Sequence, residues 1–151
     1  MKTSLIYIER DGAYLMLHRI KKENDQNRDK WIGIGGKFES GESPYDSARR
    51  EIYEECGIKV NDLSYRGIVT FVSDEYGTEY MHLFTAKKYE GEINYDCPEG
   101  ALEWVKKEKI PSLPIWEGDK IFFDLIERET RFFSLKLVYE GETLISHTVE
   151  I

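Results

Sequence analysis

The stretch GKFESGESPYDSARREIYEECGI, residues 36–58, decides how this chain is read. Its second half predicts a helix over residues 44–56. Ser43 has an N-cap side chain, Pro44 suits the first helical position, and Asp46 lies three residues on, where it can complete a capping box. Gly57 can supply a left-handed stop. Ala48, Ile52 and Cys56 recur at helical spacing and make an apolar stripe for the core. Beside that stripe, Glu51, Glu54 and Glu55 are related by i,i+3 and i,i+4, so they project as one cluster. The arrangement works against the helix. Like charges at i,i+4 cost about 0.2–0.5 kcal/mol, and carboxylates in the last turn face the negative end of the dipole at about 0.3–1 kcal/mol each. Arg49 and Arg50 offset part of this, since Arg50 can reach Glu54. Two readings fit: a solvated face of an acidic protein, or carboxylates gathered for a divalent cation such as Mg²⁺ that also grips substrate phosphates.

The 151 residues suit a single domain spanning 1–151, with enough surface buried on folding for a core without disulfide staples. A composition of 40% hydrophobic and 13% aromatic residues argues against disorder. The net charge of −8 gives no electrostatic footprint for duplex nucleic acid. It is compatible with a small phosphorylated substrate if metal ions lie between the two. No apolar run is long enough to span a bilayer. The opening MKTSLIYIERDGAY lacks the long apolar region of a secretory signal, so a cytoplasmic location is expected. Cys56 and Cys97 match no metal or redox spacing and read as free thiols.

Strands are expected at 3–9 and 13–19, joined by Asp11-Gly12, a strong hairpin signal. Residues 21–30, KKENDQNRDK, are wholly polar and read as a surface loop, followed by the glycine-rich run WIGIGGKF. Further strands are expected at 63–73, 79–86 and 101–107. Pro111 and Pro114 punctuate a loop, and Ile121, Phe122, Leu125 and Ile126 give 116–128 the spacing of an amphipathic helix. The last stretch reads as a hairpin turning at Glu140-Gly141. This is an α+β chain with a mixed sheet, not a regular βαβ series, so a doubly wound fold is not expected. His18, His82 and His147 are scattered, and no P-loop or Gly-x-Ser-x-Gly turn is present.

The spacing beyond the helix carries a resemblance. Gly36, Glu42, Arg50-Glu51, Ile52, Glu54-Glu55, Gly57 and Ile58 reproduce the box of the Nudix hydrolase family without departure. With each fixed residue at roughly one position in fifteen, such agreement arises by chance on the order of once in 10⁸ starting points. The resemblance implies an α/β/α arrangement, a mixed β-sheet sandwiched between helices. It implies metal ligation by Glu51, Glu54 and Glu55 and by the carbonyl of Gly35, with Mg²⁺, or Mn²⁺ as a substitute, as cofactor. It makes Glu42 and Arg50 the ion pair that holds loop against helix, a pairing whose bidentate geometry suits precise fixing. It also implies hydrolysis of a nucleoside diphosphate derivative, with Glu51 as first candidate for general base. Glu99, in the loop CPEG at 97–100, is the second, as a metal-binding or basic Glu, with Asp96 and Glu103 as its neighbouring rivals.

Segments 66–75, 80–86, 102–126 and the closing hairpin resemble the MutT-like oxidised-purine nucleoside triphosphatases, which convert triphosphates such as 8-oxo-dGTP to monophosphate and pyrophosphate. In that subgroup a Trp and a following acid line the base pocket; the matching residues here are Trp116 and Asp119. The alternatives are a core Trp and a helix-opening acid stabilised by the dipole. Ile32 stands where the subgroup places an Asn that reads the base, and Gly118-Asp119 where one such enzyme has two acids. Lys22 and Lys37 are candidates for phosphate contact, or surface lysines. The expected partner is a small nucleotide, with no duplex nucleic acid and no membrane, and the chain a monomer or homodimer. The other readings are a Nudix hydrolase of a dinucleotide, nucleotide sugar or RNA end, and a silent nucleotide-binding module.

Overall fold

The structure, a computed structural model, describes residues 1–151. In chain order its elements are β1 (Lys2–Arg10), β2 (Ala13–Arg19), β3 (Trp31–Ile32), β4 (Ile34–Lys37), α1 (Pro44–Cys56), β5 (Ser64–Ser73), β6 (Gly77–Ala86), β7 (Asp96–Cys97), β8 (Gly100–Lys106), α2 (Asp119–Arg128), β9 (Phe133–Glu140) and β10 (Thr143–Glu150). The strands run in the order β10-β9-β5-β6-β1-β2-β8-β7, with β3 beside β2 and β4 beside β1. Parallel pairs, β1 with β6 and β5 with β9, make the sheet mixed.

β1 is the hub. Asp11 (φ 52°) and Gly12 (φ 73°) both adopt the left-handed conformation that a two-residue hairpin demands, and they set Arg10 opposite Ala13. β1 then diverges from β2, and Leu5 pairs with Gly35 on one side and Leu83 on the other. Its side chains alternate between two cores. Ile6 and Ile8 join Ala48, Ile52 and Cys56 of α1 on one face. Tyr7 joins Phe122, Leu125 and Ile126 of α2 on the opposite face. The helices therefore cover opposite faces, the α/β/α arrangement expected.

The α1 caps form as the sequence implies. Asp46 N donates to Ser43 Oγ at 3.1 Å and Ser43 N to Asp46 Oδ2 at 3.0 Å, while Gly57 (φ 76°) closes the last turn.

The second helix differs from expectation: it begins at Asp119, not at 116. Gly118 is pressed so close to β9 that a Cβ there would meet Leu137 Cδ1 at 2.5 Å, and its N–H donates to Tyr139 Oη at 2.7 Å. Trp116 thus precedes the helix and packs beside it. The Pro111 region, read as a loop, contains a 3-10 turn over Lys107–Ser112. The closing hairpin turns at Gly141-Glu142, one residue beyond the expected centre. β3 and β4 lie inside the glycine-rich run, and β7 was not foreseen.

Candidate functional site

The C-terminal half of α1 meets β4 and the loop before β8, and this brings acids together from distant parts of the chain. Glu55 is buried and accepts from Gly35 N at 2.9 Å. Burial, then the charges of Glu51 and Glu99, push its carboxyl up to about 9. Glu51 is also largely buried. Burial raises its pKa, and Arg50 beside it works in the other direction. Glu54 is the exposed member of the helix cluster, 55% accessible, and shares Arg50 Nη1 with Glu51, at 3.2 Å. Glu99, from the loop before β8, joins the buried side of the group beside Glu51 and Glu55. Of the rivals, Asp96 is exposed and paired with Lys21, and Glu103 is exposed on β8.

Arg50 organises one side of this group. Its Nε and Nη2 bind the two oxygens of Glu42 at 2.7 and 2.9 Å, Nη2 also reaches the carbonyl of Lys37 at 3.0 Å, and Nη1 binds Glu51 at 2.7 Å. The guanidinium holds the Glu42 carboxyl below the usual range. Arg19, which sequence reasoning did not single out, organises the other side. Its Nη1 binds Glu99 at 2.8 Å and its Nε binds Asp25 at 2.7 Å, with both Arg19 and Asp25 well buried. Lys22 Nζ reaches Glu99 at 3.4 Å. The polar loop 21–30 is therefore not merely surface, since it folds back over the site.

Two hollows meet here. A broad open trough is lined by Glu51, Glu54, Glu99, Arg50, Lys22 and Lys37. A narrower cleft is lined by Phe71, Met81, Trp116, Asp119, Tyr7 and Ile32. Gly35, Gly36, Arg19, Asn27 and Glu79 wall both, so the two hollows adjoin. Trp116 is packed edge-on against Phe71, and its Nε1 donates to Asn27 Oδ1 at 2.8 Å. It is a core residue and a pocket wall at once.

Asp119 is buried on the cleft wall. Burial pushes its carboxyl up to about 8, and Lys30 opposes the shift. Below that pH the folded protein holds a proton that the unfolded chain releases near pH 4. Stability should therefore fall as pH rises from about 4 through 8, by at most about 1.4 kcal/mol per pH unit from this group. In denaturant melts at pH 5, 7 and 9, Asp119→Asn should flatten that decline, leaving the part due to Glu55. An unchanged slope would mean Asp119 is ionised throughout.

The donor set suits a hard divalent cation: Glu51, Glu54, Glu55, Glu99 and the Gly35 carbonyl are all oxygen ligands. Gly36 provides a cradle, because a Cβ at that position would lie 2.7 Å from Glu51 Oε1. No three acidic, His or Cys side chains stand ready-made as a coordination cage, and the Arg50 guanidinium bridges Glu51 and Glu54. The residues fit the ion in chemistry, with carboxylate rotation required to engage it.

The sequence profile of the NUDIX domain matches residues 2–126. The chain is 34% identical over 124 residues to the oxidized purine nucleoside triphosphate hydrolase of Danio rerio, covering 80% of this chain and 78% of that protein. It is 37% identical over 123 residues to a Nudix hydrolase of Bacillus subtilis, covering 79% and 74%. In three dimensions it is similar to the crystal structure of a MutT protein from Bacillus halodurans, at TM-score 0.87 and 29% identity over 99% of this chain and 97% of that one.

Proposed function

Because the chain belongs to the NUDIX family of hydrolases, we propose that it cleaves the diphosphate linkage of a purine nucleoside triphosphate, 8-oxo-dGTP being the leading candidate, to the monophosphate and pyrophosphate. The observation that carries this reading is the adjacency of the two hollows: a cleft walled by Trp116, Phe71 and Met81 shares its Gly35-Gly36 wall with a trough lined by Glu51, Glu54 and Glu99. The similarity to the oxidized purine nucleoside triphosphate hydrolase of Danio rerio supports the substrate class.

In this reading Trp116, Phe71 and Met81 enclose the base, and Asp119 meets its edge. Arg19 stands at the junction, and Lys22 and Lys37 lie along the trough as point charges for the phosphates. Glu51, Glu54, Glu55 and Glu99, with the Gly35 carbonyl, would hold Mg²⁺ or Mn²⁺. Bound there, the ion would neutralise phosphate charge and lower the pKa of the attacking water. Glu51 takes the proton of that water. Its partial burial favours proton uptake, and only Oε1 is engaged, by Arg50. Glu99 is a weaker choice because Arg19 and Lys22 occupy both its oxygens. The Glu42–Arg50 pair keeps Glu51 in place.

The test is product identification over a panel of 8-oxo-dGTP, dGTP, dATP, a dinucleoside polyphosphate, a nucleotide sugar and a capped RNA end, each with and without Mg²⁺. Pyrophosphate release from the triphosphates that stops on chelation is expected. Turnover confined to the other substrates would move the chain to another branch of the family. No turnover of any would point to a silent binding module.

A further inference from the structure

Tyr7 occupies an unusual position. It has no exposed surface, and its hydroxyl is the only buried side-chain nitrogen or oxygen in the protein without a hydrogen-bond partner. Buried polar groups are paired as a rule, and leaving one unmade is costly. Packing does not explain the hydroxyl. The ring lies among Tyr14, Phe122 and Phe123, at centroid distances of 5.7, 5.8 and 4.9 Å, where phenylalanine would serve as well. The far end of the phenol leaves that aromatic group and comes up under Gly33, where a Cβ would lie 2.9 Å from Tyr7 Cζ. It thereby reaches the wall of the aromatic cleft, which it lines together with Asp119, Trp116 and Phe71. The peptide N–H of Gly33 faces the phenol oxygen without meeting hydrogen-bond geometry. What the group lacks is an acceptor for its proton.

We propose that Tyr7 is a specificity-determining residue of the base pocket, donating its hydroxyl proton to a ring carbonyl oxygen of an oxo-purine held beside Asp119. This rests on the nucleotide reading above. A carbonyl satisfies the orphaned donor. The amino group of adenine at the same place would set donor against donor. The adjoining position 32 is an isoleucine and offers the base nothing polar, while Tyr7 and Asp119 both line the cleft.

Tyr7→Phe tests it by equilibrium binding and by melting. Calorimetry with the monophosphates of 8-oxo-deoxyguanosine, deoxyguanosine and deoxyadenosine should show the affinity ratio of either oxo-purine to adenine falling about tenfold, the size of one neutral hydrogen bond. The Tm of the free variant should equal or exceed that of the parent, since the unpaired hydroxyl is gone. An unchanged ratio, or an equal loss for all three bases, would overturn the proposal and leave Tyr7 a packing residue. The nucleotide reading fails separately: if the parent binds none of the three and hydrolyses no nucleoside triphosphate, both claims fall. If it does both and Tyr7→Phe is neutral, only this one does.

Discussion

Glu54→Gln should lower kcat at least about a hundredfold while moving the Tm of the free protein by no more than about 2 °C. The two halves of that expectation have separate causes. In the free protein Glu54 is more than half exposed, and its one partner is Arg50 at 3.2 Å. An exposed ion pair of that kind is worth little. Removing a negative charge from the last turn of α1 even relieves the helix dipole. On the proposed reading the cost comes from the catalytic state, where the carboxylate oxygen would serve as a cation ligand and an amide would be a poor replacement. Steady-state kinetics at saturating Mg²⁺, with thermal melts alongside, decide the matter. A near-normal kcat would remove Glu54 from the metal site and shift the load to Glu51, Glu55 and Glu99.

Arg50→Lys should reduce kcat by roughly thirty- to a hundredfold despite keeping the charge. The guanidinium is used along its whole edge, with two bonds to Glu42 and one each to Glu51, Glu54 and the Lys37 carbonyl. An ammonium carries three donors on a point charge and cannot span those acceptors. Glu51 would lose its fixed orientation, and misplacement of a reacting group by about 1 Å is enough for a hundredfold loss. Stability should also drop, by about 1–2 kcal/mol, as the loop around Glu42 loosens. A double-mutant cycle with Glu42→Gln should be strongly non-additive, because each substitution breaks the same fork. Additive losses would mean that the two residues act independently and that Arg50 contributes only charge.

What the sequence revealed and what it hid divide along chain separation. The limits of α1 were legible because capping chemistry is local: Ser43, Asp46 and Gly57 announce the ends within a few residues. Asp11-Gly12 announces its hairpin in the same way. The short strands β3 and β4 were hidden, since glycines weaken strand signals and the pairing of Gly35 with Leu5 is a tertiary event. Arg19 was hidden for the same reason: a basic residue ending a strand gains its meaning only when Glu99, far along the chain, folds against it. Loop 21–30 misled because polarity usually means solvent, yet Asp25 is buried by Arg19 and Asn27 is held by Trp116. For the acids, helical spacing placed Glu51, Glu54 and Glu55 together, while Arg50 and burial decided which of them turn inward.

The centrality of β1 bears on how such a protein can change its preferences. The strand that floors the cleft is also the one that holds β2, β4 and β6 together. Randomising its inward side chains would erode foldability in most members of a library. Loop 21–30, fastened by a few side-chain ties, is free of that burden. Directed evolution toward new bases should therefore accumulate its surviving variants in the loop, and ancestral divergence should have taken the same route.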